Sequence, residues 1–446
     1  MAKNIKNKKI TIIGCGISGV GAANLAAHLG AKVFISDIKK IDKKNIIHKN
    51  IKFESGKHSE KCFNCDFAIK SPGINNNSEI VKKLLKYKIP IISEIEFAYK
   101  FTKGKIIGIT GSNGKSTTVS ILKNIFDRKY SNTFLGGNIG ISFSQNVLYE
   151  IKAKLNDVIH ILELSSFQLE YIKKFKADTA CILNISPNHL NYHLSFNNYL
   201  NAKLNITKNL DTPNNFIYNK DDKHLKKSFK NNGFFKTFSM VDDKEILFNK
   251  NNSFYDNINK EVIVNFNDIK LKGIHNYNNI LAAIKIAKIY KIENNHIKSA
   301  IISFKPLEHR LEKLHFNNID YINDSKSTTI ESTISALASD SKITILIIGG
   351  YSKLKINYAE KLNKFISKVK KIICYGNEGI EMYNMLHKIA NCKYIENFSD
   401  AIYYGLKIIK KNERLLLSPG CASYDQFENF EKRGEKFKEL INNHHS

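Results

Sequence analysis

Along the first ninety or so positions, short apolar runs alternate with segments whose apolar residues recur at helical spacing. KITIIG leads into a helix predicted over Ser18–Leu29, AKVFISD and DFAIKSPGI follow as strands, and a second helix is predicted near Ser78–Tyr87. Buried parallel strands have this look, because both faces are covered and polar residues need not alternate in. The pattern restarts at KIIGITGSNGKSTTVSILKNIF, again strand, glycine-rich turn and helix, and continues through VIHILELSSFQLE and TACILNIS. From about Asp211 to Asp268 the chain turns polar, with brief alternating runs (EILFNK, EVIVNF) that predict a small peripheral sheet, before LAAIKIAKIY returns to helical spacing. After Pro306 a third block carries the strands YINDSK, TILIIGG, KKIICYG and LLLSPG, and it ends in a polar tail, INNHHS, that is expected to fray.

Three α/β blocks in 446 residues match the length, which suits about three domains of ~150 residues. No apolar run approaches the ~18 residues of a spanning helix, so no membrane span is expected. Lys3 to Lys9 followed by ITIIGCGISGVGAANLAAHL imitates a signal peptide, but Gly14, Gly16, Gly19 and Asn24 interrupt the apolar stretch as a strand, turn and helix would. Seven scattered cysteines give no disulfide framework, and the lone pair Cys62 and Cys65 has no second pair to complete a metal site. A reduced, cytoplasmic setting is expected.

Charge changes the picture less than its size suggests. The formal net charge of +28 points by itself toward nucleic acid or an anionic membrane. Yet of 69 basic residues only Arg128, Arg310, Arg414 and Arg433 are arginine, the residue that reads phosphates bidentately, and no aromatic-basic RNA motif is present. The lysines are scattered between motifs, so nucleic acid is not expected as a partner.

Two glycine loops carry chemistry. Gly14-Cys15-Gly16-Ile17-Ser18-Gly19 follows a strand and opens a helix, and Asp37 ends the next strand 18 residues on. That is the dinucleotide fingerprint: glycines admit a pyrophosphate to the helix N-terminus, and the acid can accept a ribose hydroxyl. The second loop, Thr110-Gly111-Ser112-Asn113-Gly114-Lys115-Ser116-Thr117, has the parts of a P-loop: backbone donors, a lysine for the β and γ oxygens and a hydroxyl for Mg²⁺. Its spacing departs from the strict pattern, since Ile109 stands where the first glycine belongs. Glu163 ends the strand VIHIL, where ligands of open α/β sheets collect, and a carboxylate there could hold Mg²⁺. His189 and Lys203 follow the next strand, on a loop and a predicted helix.

GITGSNGKST, GGNIG (136–140), ELSSFQLE (163–170), NAKLNI (201–206), GIHNYNNILAA (273–283), EHRLE (308–312), NDSKST (323–328) and LSPGCASYDQFENFEKRGEKF (417–437), in this order, resemble the Mur ligase family. The resemblance implies three α/β domains: a Rossmann-like one over 1–93 that binds a UDP-linked substrate, a central P-loop ATPase-like one over 94–304, and a Rossmann-like one over 305–446 that binds D-glutamate and closes over ATP. It implies an ATP-dependent amide ligase, in cytoplasmic peptidoglycan precursor synthesis, that joins D-glutamate to UDP-N-acetylmuramoyl-L-alanine through an acyl phosphate. Two Mg²⁺ ions are implied, one at Ser116 and Glu163 and one at His189, with Lys203 carbamylated so that a repelling cation becomes a metal-bridging anion. By similarity Lys115, His189 and Lys203 are catalytic, and Gly111, Ser112, Asn113, Gly114, Lys115, Ser116, Thr117, Asn276, Asn279, Arg310 and Asp324 bind ATP. Ile17, Ser18, Asp37, Ser71, Gly73 and Asn138 would hold the UDP-substrate, and Thr328, Lys353, Ser423, Tyr424 and Phe430 D-glutamate. A monomer is expected.

Some positions depart from the family pattern. Asn188 and Asn191 stand where acids are commoner, Tyr351 and Ser352 replace the usual pair before Lys353, and Thr329 stands where asparagine is frequent. The family's diamino-acid ligases carry a DNPR-like motif that is missing here, and a nicotinamide oxidoreductase would leave the GKST loop idle.

Overall fold

Lys9–Ile13 (β1), Lys32–Asp37 (β2), Lys52–Ser55 (β3), Phe67–Lys70 (β4) and Ile91–Ser93 (β5) form a parallel sheet in the order β3-β2-β1-β4-β5. The computed structural model describes residues 4–41, 46, 48, 50–212, 215–230, 235–352 and 356–445. Ile10, Ile12, Ile35 and Ile69 are buried in a common core, while Ile13 and Ala68 are buried on the other side of the sheet, which is why these strands read as unbroken apolar runs. Because β2 lies on one side of β1 and β4 on the other, the order turns at β1, and a crevice opens beyond its carboxyl end.

The second sheet repeats the device. Lys105–Thr110 (β6), Thr133–Gly137 (β7), Ile159–Glu163 (β8), Thr179–Ile182 (β9), Phe216–Asn219 (β10) and Lys236–Phe238 (β11) run parallel in the order β11-β10-β9-β6-β8-β7. Here β6 is the turning point, flanked by β8 and β9. The peripheral sheet is antiparallel: Ile246–Phe248 (β12), Ser253–Asp256 (β13) and Glu261–Asn265 (β14). Its middle strand was not among the predicted runs, since SFYD is short and does not alternate cleanly.

The chain divides into two compact units, Met1–Phe304 and Lys305–Ser446. Within the first, the two parallel sheets are welded through helices: the buried Glu94 carboxylate, at the start of the helix Glu94–Tyr99, accepts the Ser144 amide of the helix Phe143–Lys152. Gly21 leaves no room for a Cβ against Ser142, so the helix Ile17–His28 lies close to the same segment.

The second unit is built on Glu312–Phe316 (β15), Ile319–Asn323 (β16), Thr344–Gly349 (β17), Val369–Tyr375 (β18), Cys392–Tyr394 (β19) and Arg414–Gly420 (β20), in the order β15-β16-β20-β17-β18-β19. Only β15 is antiparallel to its neighbour. The tail does not fray as expected. Helix Phe430–His445 buries Phe437, Leu440 and Ile441, and His445 stacks on Phe316 at 4.6 Å with Nε2 2.9 Å from the Tyr321 hydroxyl. The polar tail is the solvent face of an amphipathic helix. Among the described residues, no helix is long and apolar enough to cross a membrane.

Candidate active site

The first glycine loop leaves β1. Gly14 has φ +92°, a conformation that favours glycine, and its carbonyl accepts the Ser71 hydroxyl at 3.1 Å from the turn after β4. A Cβ at Gly19 would collide with the Gly14 carbonyl, whereas one at Gly16 or Gly73 would meet open space. One glycine therefore makes the turn, one lets the helix pack, and Gly16 keeps the backbone bare at the helix start, where Ile17 is exposed and Ser18 half-buried. Asp37 holds this loop: its carboxylate accepts the Cys15 amide at 2.6 Å and the Lys39 amide at 2.8 Å.

The second loop leaves β6 and is clamped to the exit of β9. The Ser112 amide donates to the Asn184 carbonyl at 2.9 Å, the Asn113 amide to Asn184 Oδ1 at 2.8 Å, and the Ser112 hydroxyl lies 2.8 Å from that of Tyr199. Gly114 has φ +81° and starts the helix Lys115–Phe126. A Cβ there would strike the Asn279 side chain, so Asn279, from the helix Ile274–Ile289, sits directly on the loop; Asn276, one turn earlier, donates to the Lys272 carbonyl at 2.8 Å. Ser116 and Thr117 are buried in the first turn. Lys115 folds back, donating to the carbonyls of Gly111 at 2.8 Å and Ser112 at 3.1 Å.

Around this loop the neighbouring strand ends deliver the other groups. Glu163, at the end of β8, is buried, and Asn138 after β7 grips it twice: Nδ2 to Glu163 Oε1 and amide to Glu163 carbonyl, each at 2.8 Å. Lys203, on the helix Phe196–Leu204, is 2% exposed, with Nζ 2.8 Å from the Gly111 carbonyl and 4.9 Å from the centre of the Tyr199 ring. Burial above all, then the Lys115 charge, holds its pKa well below the lysine range, against the pull of Glu163. His189 caps the short helix Leu190–His193 with φ +53°, its ring 4.9 Å from that of Phe167. His189 is exposed, yet desolvation of its ring, followed by the charges of Lys203 and Lys115, lowers its pKa to about 4. A neutral imidazole, a buried carboxylate, a hydroxyl and a lysine whose charged form is disfavoured by burial form a donor set that suits a hard divalent cation once the lysine is turned into an anion.

The remaining expected residues stand on the second unit. Asp324 is buried, accepts the hydroxyl of Ser418 at 2.8 Å and the Leu311 amide at 3.2 Å, and burial raises its pKa to about 6 despite the nearby Arg310. It thereby fixes the turn that carries Arg310. Thr328 is exposed, Ser423 buried and Tyr424 72% exposed, while Phe430 begins the last helix with Lys326 Nζ 3.6 Å from its ring centre. Lys353 lies outside the described residues. Sequence reasoning missed Tyr199 and Asn184, which lock the P-loop from 87 and 71 residues away; GITGSNGKST carries no local trace of either partner.

A glycine-rich phosphate loop at the turning strand of a parallel sheet, ringed by a carboxylate, an imidazole and a buried lysine, defines a nucleotide-dependent α/β enzyme. A family model described as the Mur ligase middle domain matches residues 109–287, and one described as the MurD N-terminal domain matches residues 9–80. A UDP-N-acetylmuramoylalanine--D-glutamate ligase of Christiangramia forsetii is 38% identical, over 98% of this chain and 99% of its own. Its namesake in Lachnoclostridium phytofermentans is 34% identical over 98% of each. Among solved structures, the UDP-N-acetylmuramate-alanine ligase of Thermotoga maritima shares the fold with a TM-score of 0.65 at 17% identity, covering 98% of this chain and 100% of that one. The MurF ligase of Thermotoga maritima, in complex with ADP, does so at 0.59 and 15%, covering 98% and 95%. The chain belongs to the Mur ligase family, and is an ATP-dependent ligase that forms peptide bonds.

Proposed function

We propose that this enzyme adds D-glutamate to UDP-N-acetylmuramoyl-L-alanine, as a monomer in the cytoplasmic stage of peptidoglycan precursor synthesis. The observation that carries the reading is likeness over nearly the whole chain to relatives that bear that activity in their name. The two glycine loops support it, because a UDP-sugar and ATP each need a phosphate cradle.

The carboxylate of the alanyl group is a poor acyl donor. Its oxygen attacks the γ-phosphorus of ATP, the bond to ADP breaks, and an acyl phosphate forms. The amine of D-glutamate then attacks the acyl carbon, phosphate leaves with the C–O bond's electrons, and the amine proton passes to solvent. Lys115 leaves the Gly111 and Ser112 carbonyls to lie on the phosphates, and the loop amides hold the β-phosphate. Ser116 and Glu163 would hold one Mg²⁺ and His189 a second, with Lys203 as a carbamate serving as a further anionic ligand, and the ions would neutralise phosphate charge. The Asn138 amide, donating to Glu163, keeps that carboxylate turned toward the loop. Asn276, Asn279, Arg310 and Asp324 serve the nucleotide, Ile17, Ser18, Asp37, Ser71, Gly73 and Asn138 the UDP-sugar, and Thr328, Lys353, Ser423, Tyr424 and Phe430 D-glutamate.

Phosphate release from ATP in the presence of UDP-N-acetylmuramoyl-L-alanine tests the reading. D-glutamate should trigger turnover where L-glutamate, L-alanine and diaminopimelate do not. Turnover without D-glutamate, or activation by RNA, would overturn it.

A further inference from the structure

Lys70, the last residue of β4, stands one position before Ser71, and it is 2% exposed. Its Nζ donates to the Ile74 carbonyl at 2.7 Å and to the Tyr192 hydroxyl at 3.4 Å, and lies 4.8 Å from the centre of the Tyr171 ring. The Tyr192 hydroxyl is in turn 2.9 Å from Asn76 Oδ1 and 3.0 Å from Glu170 Oε2. The Tyr171 hydroxyl donates to the same Asn76 oxygen at 2.7 Å, and Asn76 Nδ2 donates to Glu170 Oε1 at 3.0 Å. A closed polar ring of Asn76, Glu170 and Tyr192, with Lys70 and Tyr171 bonded to it, thus joins the segment 70–76, which leaves the first sheet, to the segments that follow β8 and β9 of the second.

Both ends of this ring reach expected ligand groups. On one side the Ile74 amide closes a turn onto the Ser71 carbonyl at 3.1 Å, and the Ser71 hydroxyl braces Gly14. On the other, Tyr192 follows His189 by three positions, and Phe167 packs on both rings, 4.5 Å from Tyr192 and 4.9 Å from His189. A cavity of about 320 Å³ lies alongside, lined by Asn76, Glu170, Tyr192 and His193 among others. The buried charge beside the ring is expensive to keep there. No carboxylate among the described residues forms an ion pair with Lys70, and burial lowers its pKa to about 8 although Glu170 pulls it back up. A methionine would fill the same space without that penalty, so what the ammonium contributes is geometry: it fixes a carbonyl and a hydroxyl that no aliphatic chain could hold.

We propose that Lys70 is a positioning residue for the UDP-linked substrate, holding the Ser71–Ile74 turn through the Ile74 carbonyl and, through Tyr192, setting it in register with the turn that carries His189. This rests on the reading of Ser71 and Gly73 as substrate contacts given above.

Steady-state phosphate release and thermal melting of the full chain, with K70M and Y192F, test it. K70M should raise KM for UDP-N-acetylmuramoyl-L-alanine by about tenfold or more while KM for ATP stays within about twofold. Its melting temperature should match or exceed that of the parent, an outcome that a merely structural lysine would not give. Y192F should shift the same KM in the same direction by less, and the double variant should fall short of the product of the two effects, because both act through one path. An unchanged KM for the UDP-substrate, a parallel rise in both KM values, or a KM effect that tracks a fall in melting temperature overturns the proposal. Should K70M fail to fold, an unchanged KM in Y192F overturns it alone. Should the parent show no D-glutamate-dependent turnover, the functional reading fails instead, and calorimetric titration of parent and Y192F with UDP-N-acetylmuramoyl-L-alanine decides the Lys70 question: equal affinity, or no binding to the parent, sinks it.

Discussion

Both glycine loops follow the turning strand of a parallel sheet and open a helix of 12 residues, Ile17–His28 in one case and Lys115–Phe126 in the other. What surrounds them differs. The first is tied down by a carboxylate, Asp37, and its turn carries no basic side chain. The second has two lysines on one carbonyl, a buried glutamate at the next strand end and an imidazole beyond. The turn supplies backbone donors in both places, and such donors cradle a phosphate without choosing the chemistry done on it. The choice is made by neighbouring strands: β8 and β9 lead to groups able to handle a leaving phosphate and its cations, whereas β2 and β4 lead to Asp37 and Ser71, which brace the loop and offer only groups suited to binding.

Lys115→Ala is the strongest attempt on that contrast. Loss of the lysine should lower D-glutamate-dependent turnover by on the order of 10³-fold, with the affinity for UDP-N-acetylmuramoyl-L-alanine unchanged in a direct titration. Lys203→Ala comes next, with a loss on the order of 10²-fold, and the parent enzyme alone should lose activity in bicarbonate-depleted buffer and regain it on adding bicarbonate; an active variant, or a parent indifferent to bicarbonate, would remove Lys203 from the second loop's chemistry. A matched pair then separates the loops. Gly14→Ala and Gly114→Ala each force a side chain into positive φ, at about 1–2 kcal/mol. The first should raise KM for the UDP-substrate and the second KM for ATP, each by about tenfold, and crossed effects would show that the loops are not separate cradles.

The smallest effect on turnover is expected at Glu94, which welds the two sheets. Burial raises its pKa from 4.5 to about 7, so between those values the folded protein binds more protons than the unfolded chain. Stability therefore falls as pH rises through that window, by on the order of 3 kcal/mol in total. Glu94→Gln should flatten the dependence, gaining on the parent at pH 7.5 and not at pH 4.5, as urea melts would report. Equal slopes would mean that Glu94 is charged in its site.

The glycine loops were legible because their signal is local: strand, turn and helix adjoin in sequence, and the structure places β1, β6 and the helices after them where the apolar runs indicate. Glu163 was legible as the last residue of a strand. Strands β15 and β19 were not, because edge strands such as EKLHF carry exposed polar residues that blur any period. Side-chain partnerships were the least readable part. Spacing gave Asp37 as an acid at a strand end, but that its carboxylate holds the Cys15 amide depends on how β1 and β2 sit in register. Lys70 reads as the end of a buried strand, and only the fold reveals Tyr192 beside it, 122 residues away.

The carbonyl of Gly111 accepts from Lys115 and from Lys203, each at 2.8 Å. One oxygen shared by two such nitrogens is an antagonism, because the Lys115 charge disfavours a proton on Lys203. A nucleotide that draws Lys115 away relaxes this, so Lys203 keeps its nucleophilic lone pair best while the loop is empty. If Lys203 takes up CO₂ as proposed, the uptake belongs to maturation of the resting enzyme, ahead of the first turnover, and the active fraction of a preparation records the dissolved CO₂ it met before substrate arrived.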